Sequence, residues 1–113
     1  MKLNKAQPGL ATVTLPAEID MTNADRVAAE LSAAFASGVR VVVADMTATT
    51  FCDSAGVRGL TRVHREAAGS GARLHLAVVH AGAVSRVLEL MDLTGVLHVY
   101  PSVDAAAATN AGR

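Results

Sequence analysis

The residues best equipped for chemistry stand together at Asp53-Ser54-Ala55-Gly56. They follow the apolar run Val41-Val42-Val43-Ala44-Asp45 and a Thr-rich connection, and they precede an amphipathic segment. That order predicts a strand, a loop and the start of a helix. A serine in the first turn of a helix is well placed to accept a phosphate. The first N–H groups of a helix lack intrahelical partners and its dipole is positive there, so a new dianion is tolerated. The same serine also fits the plainer role of an N-cap, which contributes about 1 kcal/mol. A catalytic role fits less well, because no Gly stands two residues before Ser54 as a nucleophile elbow requires. The likeness to the Gly-Asp-Ser-Gly-Gly of trypsin-like proteases stops at the motif, since 113 residues cannot build that double barrel.

Other reactive side chains offer less. Cys52, beside Phe51, is the only cysteine and is expected in the core. It excludes an intrachain disulfide and a Cys-based zinc cage, and fits a reducing cytoplasm. His64, His75, His80 and His98 show no HxxxH or HxH spacing, so neither a metal nor a cofactor is expected. Gly69-Ser70-Gly71 precedes a strand, whereas a phosphate-cradling loop follows one, so it reads as a linker. His80-Ala81-Gly82-Ala83 lies between strand and helix, but one Gly makes no fingerprint.

The elements that must position Asp53 and Ser54 can be read from periodicity. Residues 10–15 alternate as a strand, with residues 3–6 as its partner across Gln7-Pro8-Gly9. Residues 16–20 form a connection. Thr22 is expected to cap a first helix, with Asp25 three residues on, and Val27, Leu31 and Phe35 line one face before Gly38 ends it. Residues 39–44 suit a strand buried on both faces. Residues 54–68 form a second helix with Val57, Leu60, Ala67 and Ala68 inward and Arg58, Arg62, Arg65 and Glu66 outward. Residues 73–79 form a strand, and Val84, Val87, Leu88 and Met91 mark a third helix. Gly95 breaks it, residues 96–99 form a last strand, and Ser102 opens a short Ala-rich helix. Residues 109–113 are expected as a loose tail.

Strands alternating with helices predict an α/β fold in one domain, residues 1–113. Its sheet is small, mixed and mostly parallel, with four or five strands and about four helices. Sites in such sheets gather beyond the carboxyl ends of the strands. Glu18, Asp20, Asp45, Asp53 and Ser54 are therefore expected on one surface. The core must come from Val, Leu and Ala, because aromatic residues make up only 3% of the chain. Ten basic and ten acidic residues cancel, which argues against nucleic acid and an anionic membrane as partners. No apolar run reaches the roughly 18 residues of a membrane helix, and no signal-peptide block follows Met1.

Three motifs in order resemble the STAS domain family, in its anti-sigma factor antagonist type. They are Ala17-Glu18-Ile19-Asp20, Phe51-Cys52-Asp53-Ser54-Ala55-Gly56-Val57, and the run from Leu88 through Gly95 to Val96. The resemblance spans residues 10–108 and implies a STAS-like fold. It implies a protein that binds a histidine-kinase-like ATPase acting as anti-sigma factor, is phosphorylated by it at Ser54, and is reset by a serine phosphatase. Glu18, Asp20, Asp53, Ser54, Gly56, Val57 and Arg58 would form the partner surface. Two departures stand out: Ala17 replaces a motif Gly, and Ala55 replaces a second hydroxyl. The family also serves as an interaction module in transporters, lipid-trafficking complexes and stress-signalling assemblies, which is the alternative function.

Overall fold

A computed structural model describes residues 1–108 of the chain; the tail expected at 109–113 lies outside them. The strands are β1 (Lys2–Gln7), β2 (Leu10–Thr14), β3 (Glu18–Ile19), β4 (Val41–Asp45), β5 (Phe51–Cys52), β6 (Arg73–Ala77) and β7 (His98–Tyr100). The helices are α1 (Ala24–Ala33), α2 (Ser54–Gly69), α3 (Ala83–Leu90) and α4 (Val103–Ala108). The main sheet runs β1-β2-β4-β6-β7, with β1 antiparallel at one edge and every other pair parallel. This is the mixed, mostly parallel sheet expected.

Period-two alternation sorts the central strands between two layers. Val42 and Ala44 of β4 face a large core shared with Val27 and Leu31 of α1, Leu60 and Val63 of α2, and Val84 and Leu88 of α3. Val41 and Val43 face the opposite side, where Ala106 of α4 closes a smaller cluster with Leu10 and Ala77. Three helices therefore cover one face and α4 covers the other, which is why β4 reads as an unbroken apolar run.

Several expectations need correction. Residues 16–20 are not a plain connection: Glu18 and Ile19 pair in parallel with Phe51 and Cys52, giving a second, two-stranded sheet. Asn23, not Thr22, holds the N-cap position of the first helix, with no side-chain capping bond, and the helix ends at Ala33; Gly38, at φ 80°, ends the following turn. Val63 takes the inward place assigned to Ala68, which is exposed. Met91 lies past the end of α3 and is 36% exposed, so it is not a core residue. The other nine core residues expected (Val27, Leu31, Val41, Val43, Leu60, Leu76, Val78, Val84 and Leu88) are all buried.

Candidate functional site

The β3–β5 pair sets the site. Glu18 lies opposite Phe51 and Ile19 opposite Cys52, and the Asp53 N–H donates to the Ile19 carbonyl at 3.1 Å. Asp20 and Asp53 thus leave their strands side by side, and each opens a helix that packs on the other, α1 and α2. Pairing leaves one side of each strand outward, so Glu18 and Phe51 are exposed while Ile19 and Cys52 are buried.

Asp53, not Ser54, is the N-cap of α2. Its backbone is extended and its Oδ1 accepts from the Gly56 N–H at 3.0 Å. Ser54 is the first helical residue, exposed, and its hydroxyl has no hydrogen-bond partner among the described residues. The expected N-cap role therefore passes to its neighbour and frees the hydroxyl.

Asp20 is held by its own turn. The Thr22 hydroxyl and N–H both donate to its Oδ1. Those bonds, the hydroxyl's first, hold the Asp20 carboxyl below its ordinary 3.8. Asn23 fixes the loop from inside: its Oδ1 accepts from the Asp20 N–H at 2.9 Å and its Nδ2 donates to the Glu18 carbonyl at 2.9 Å. Sequence reasoning passed over Asn23, whose side chain serves this loop and makes no capping bond to α1.

Gly56 and Val57 are buried, so their side-chain positions support the site from below; Arg58 is exposed. A Cβ on Gly56 would come within 2.7 Å of Cys52 Sγ and 2.8 Å of Ile19 Cγ2. Only glycine lets α2 sit this close over β3 and β5. Burial, then the Asp53 charge, push the Cys52 thiol up to about 11, so it is a packing thiol at neutral pH. Asp45 ends β4 on the same side of the sheet, but its Oδ1 accepts from the Thr47 N–H at 3.0 Å and from the Thr47 hydroxyl. It serves its own turn.

Ala17 keeps the edge intact despite the missing Gly. Its carbonyl accepts from the Thr50 N–H at 2.8 Å, and its backbone is not in the left-handed region. Among the described residues no group of three or more His, Cys, Asp or Glu could hold a metal ion. Nor is any helix among them long and apolar enough to cross a membrane.

This arrangement belongs to a known class. The family model of the STAS domain matches residues 2–106, and the chain belongs to that family. Its fold is similar to that of an anti-sigma factor antagonist from Mycobacterium paratuberculosis, with TM-score 0.83 and 23% identity over 95% of this chain and 89% of the other. It is similar to the phosphorylated form of the Bacillus cell fate determinant SpoIIAA, with TM-score 0.68 and 20% identity over 96% and 98%. It also resembles part of the murine Slc26a9 anion transporter, with TM-score 0.65 and 20% identity over 92% of this chain and 18% of that one. No curated protein matches the chain.

Proposed function

We propose that the chain is an anti-sigma factor antagonist of the bacterial cytoplasm, which binds a kinase-type anti-sigma factor and is released when that partner phosphorylates Ser54. The observation that carries this reading is the free, exposed Ser54 hydroxyl in the first turn of α2, next to Asp53 and on the edge shared with Asp20. In this reading the chain is a ligand and a phosphoryl acceptor, and the catalyst is the partner. Ser54 Oγ attacks the γ-phosphorus of the partner's ATP, the bond to ADP breaks, and the hydroxyl proton passes to a base of the partner. A serine phosphatase hydrolyses the ester and resets the chain. No nucleic acid or membrane takes part.

The electrostatics fit a release signal. Phosphate adds about −1.5 to −2 charge at pH 7. α2 tolerates it at its N-terminus, but a contact surface that already holds Glu18, Asp20 and Asp53 does not. A loss of about 3 kcal/mol of binding weakens affinity by a factor on the order of 100.

The test is a titration of the purified partner, with ADP present, against wild type, Ser54→Ala, Ser54→Asp and phosphorylated chain. Ser54→Ala should bind like wild type and resist phosphorylation. Ser54→Asp should bind more weakly, and the phosphorylated chain most weakly. Equal affinity for all four would falsify the switch. The fold likeness to Slc26a9 favours one second reading, an interaction module of a transporter assembly; recovery of a permease subunit and no ATPase from the native extract would move the chain there.

A further inference from the structure

Basic side chains from three elements gather at the far end of the sheet from Ser54. Arg73 and His98 open β6 and β7, so they stand at the amino end of the parallel strands, opposite the end at which Asp45 leaves β4. Register sets His98 beside His75, and Arg73, two residues before His75, points to the same face. α2 adds His64, about 15 Å along the helix from Ser54. The His64 and His98 rings meet edge to face with centroids 5.2 Å apart, and Arg73 Nη2 lies 3.4 Å from His98 Nδ1. His64, Arg73 and His98 are half-buried and open to solvent, while His75 behind them is closed off.

Among the described residues no carboxylate answers this cluster. Arg73 has no ion pair there. Glu66 of α2 accepts from Ser32 on the α1 side. Asp92, before β7, and Asp104 of α4 are exposed, and Asp104 is two residues from Ala106, which faces the sheet. Burial first, then the charges of Arg73, His64 and His75, hold His98 below its ordinary 6.5.

We propose that Arg73, His98 and His64 form a binding site for a small tetrahedral oxyanion of the phosphate class. The guanidinium only donates, so His98 Nδ1 accepts from it and Nε2 carries the ring proton. A second proton would enter at Nδ1, against the guanidinium. An anion that accepts from both removes this conflict and supplies the missing counter-charge. The fork of Arg73 takes two oxygens and an imidazole N–H a third, an acceptor set that phosphate and sulfate have and a carboxylate lacks. A metal ion is the poorer occupant. Arg73 repels it, and among the described residues no group of three or more His, Cys, Asp or Glu could hold one. The site does not rest on the phosphorylation reading.

The experiment titrates the full chain with sodium sulfate, whose charge does not change with pH, against sodium chloride at equal ionic strength. It follows the ring Cε1–H signals of His64 and His98 by NMR. At pH 6.0 both signals should move and saturate with sulfate and not with chloride. At pH 8.0 the affinity should be at least about fivefold weaker, because the imidazoles have lost their charge. Inorganic phosphate should shift the same two signals. Arg73→Gln should weaken binding about tenfold and Arg73→Lys less, since lysine keeps the charge without the fork. Shifts that never saturate, shifts that chloride reproduces, or equal affinity at the two pH values would overturn the proposal. Those readings need only the wild-type chain, so they stand even where a variant fails to fold. Tighter binding of zinc than of sulfate by the same two rings at pH 7.5 would overturn it too, and would leave His64 and His98 as a metal pair.

Discussion

At Gly56 a side chain has nowhere to go. Cys52 Sγ and Ile19 Cγ2 lie inside the distance that any Cβ keeps from its neighbours, so Gly56→Ala must push α2 off the β3–β5 pair. The expected loss is about 1–3 kcal/mol, measured by urea unfolding. Because half of the clash is with sulfur, Cys52→Ala should recover part of that loss in the double variant; strict additivity of the two changes would contradict the geometry. Cys52→Ala alone should keep partner binding and phosphorylation, since the thiol packs and does not react. One residue further on, the caps separate. Asp53→Ala removes the oxygen that accepts from the Gly56 N–H and should lower stability by about 1 kcal/mol. Ser54→Ala removes an unbonded hydroxyl and should leave the unfolding midpoint where it is. If Ser54→Ala proved the more destabilising of the two, the capping assignment would be reversed.

Among the elements, the helix interiors were the most legible part of the sequence, because an apolar stripe repeated from turn to turn fixes a face. Leu60 and Leu88 fall on such stripes and are buried to 1% and 0% exposure, so Leu60→Ala or Leu88→Ala should cost about 2–5 kcal/mol. Met91 sits on the same arithmetic as Leu88, but the helix stops at Leu90 and turns Asp92 to φ 59°. Met91→Ala should therefore cost less than about 1 kcal/mol. Comparing the melting curves of these three variants checks the assignment. What the sequence concealed shares one cause: it depends on single residues and not on repeats. A two-residue strand such as Glu18–Ile19 has no period to read, and its partner Phe51–Cys52 lies far along the chain. Whether Asp53 or Ser54 becomes the cap turns on the single residue at which the extended backbone gives way to the helix. The site's residues were readable as a motif. The reason Asp20 and Asp53 meet was not, because it lies in that hidden pairing.

For the molecule as a whole, the weak point is the thin layer under α4. His75 on β6 is fully buried there, and its Nδ1 lies 3.0 Å from the Ala106 carbonyl. A carbonyl only accepts, so Nδ1 carries the proton, and Nε2 is a buried acceptor with no partner among the described residues. The Tyr100 and His98 rings pack on it at 4.8 and 5.7 Å, and Arg73 stands within 3.4 Å of His98 Nδ1. Protonation at Nε2 would make the ring a cation and add a buried N–H for which the described residues offer no acceptor. Burial first, and then the Arg73 charge, act against that cation, with the Ala106 bond opposing them, and the net direction for His75 is below the ordinary 6.5. His98 shifts the same way, through burial, Arg73 and the other two histidines. Both groups therefore bind fewer protons in the folded chain than in the unfolded one. Their stabilisation is complete above pH 6.5 and is lost as pH falls below it. Asp20, also lowered, adds a further loss, but only as pH drops through the carboxylate range. The urea midpoint should hold steady from pH 8 to pH 7 and decline from about pH 6.5 downward, before any carboxylate effect. His75→Phe should flatten part of that decline and leave the His98 part. Hydrogen exchange at low pH should show α4 opening first, because its footing is Ala106, Val103 and Ala107 on a strip of valines. A midpoint that is level down to pH 5 in wild type would show that His75 accepts its second proton without disturbing the layer.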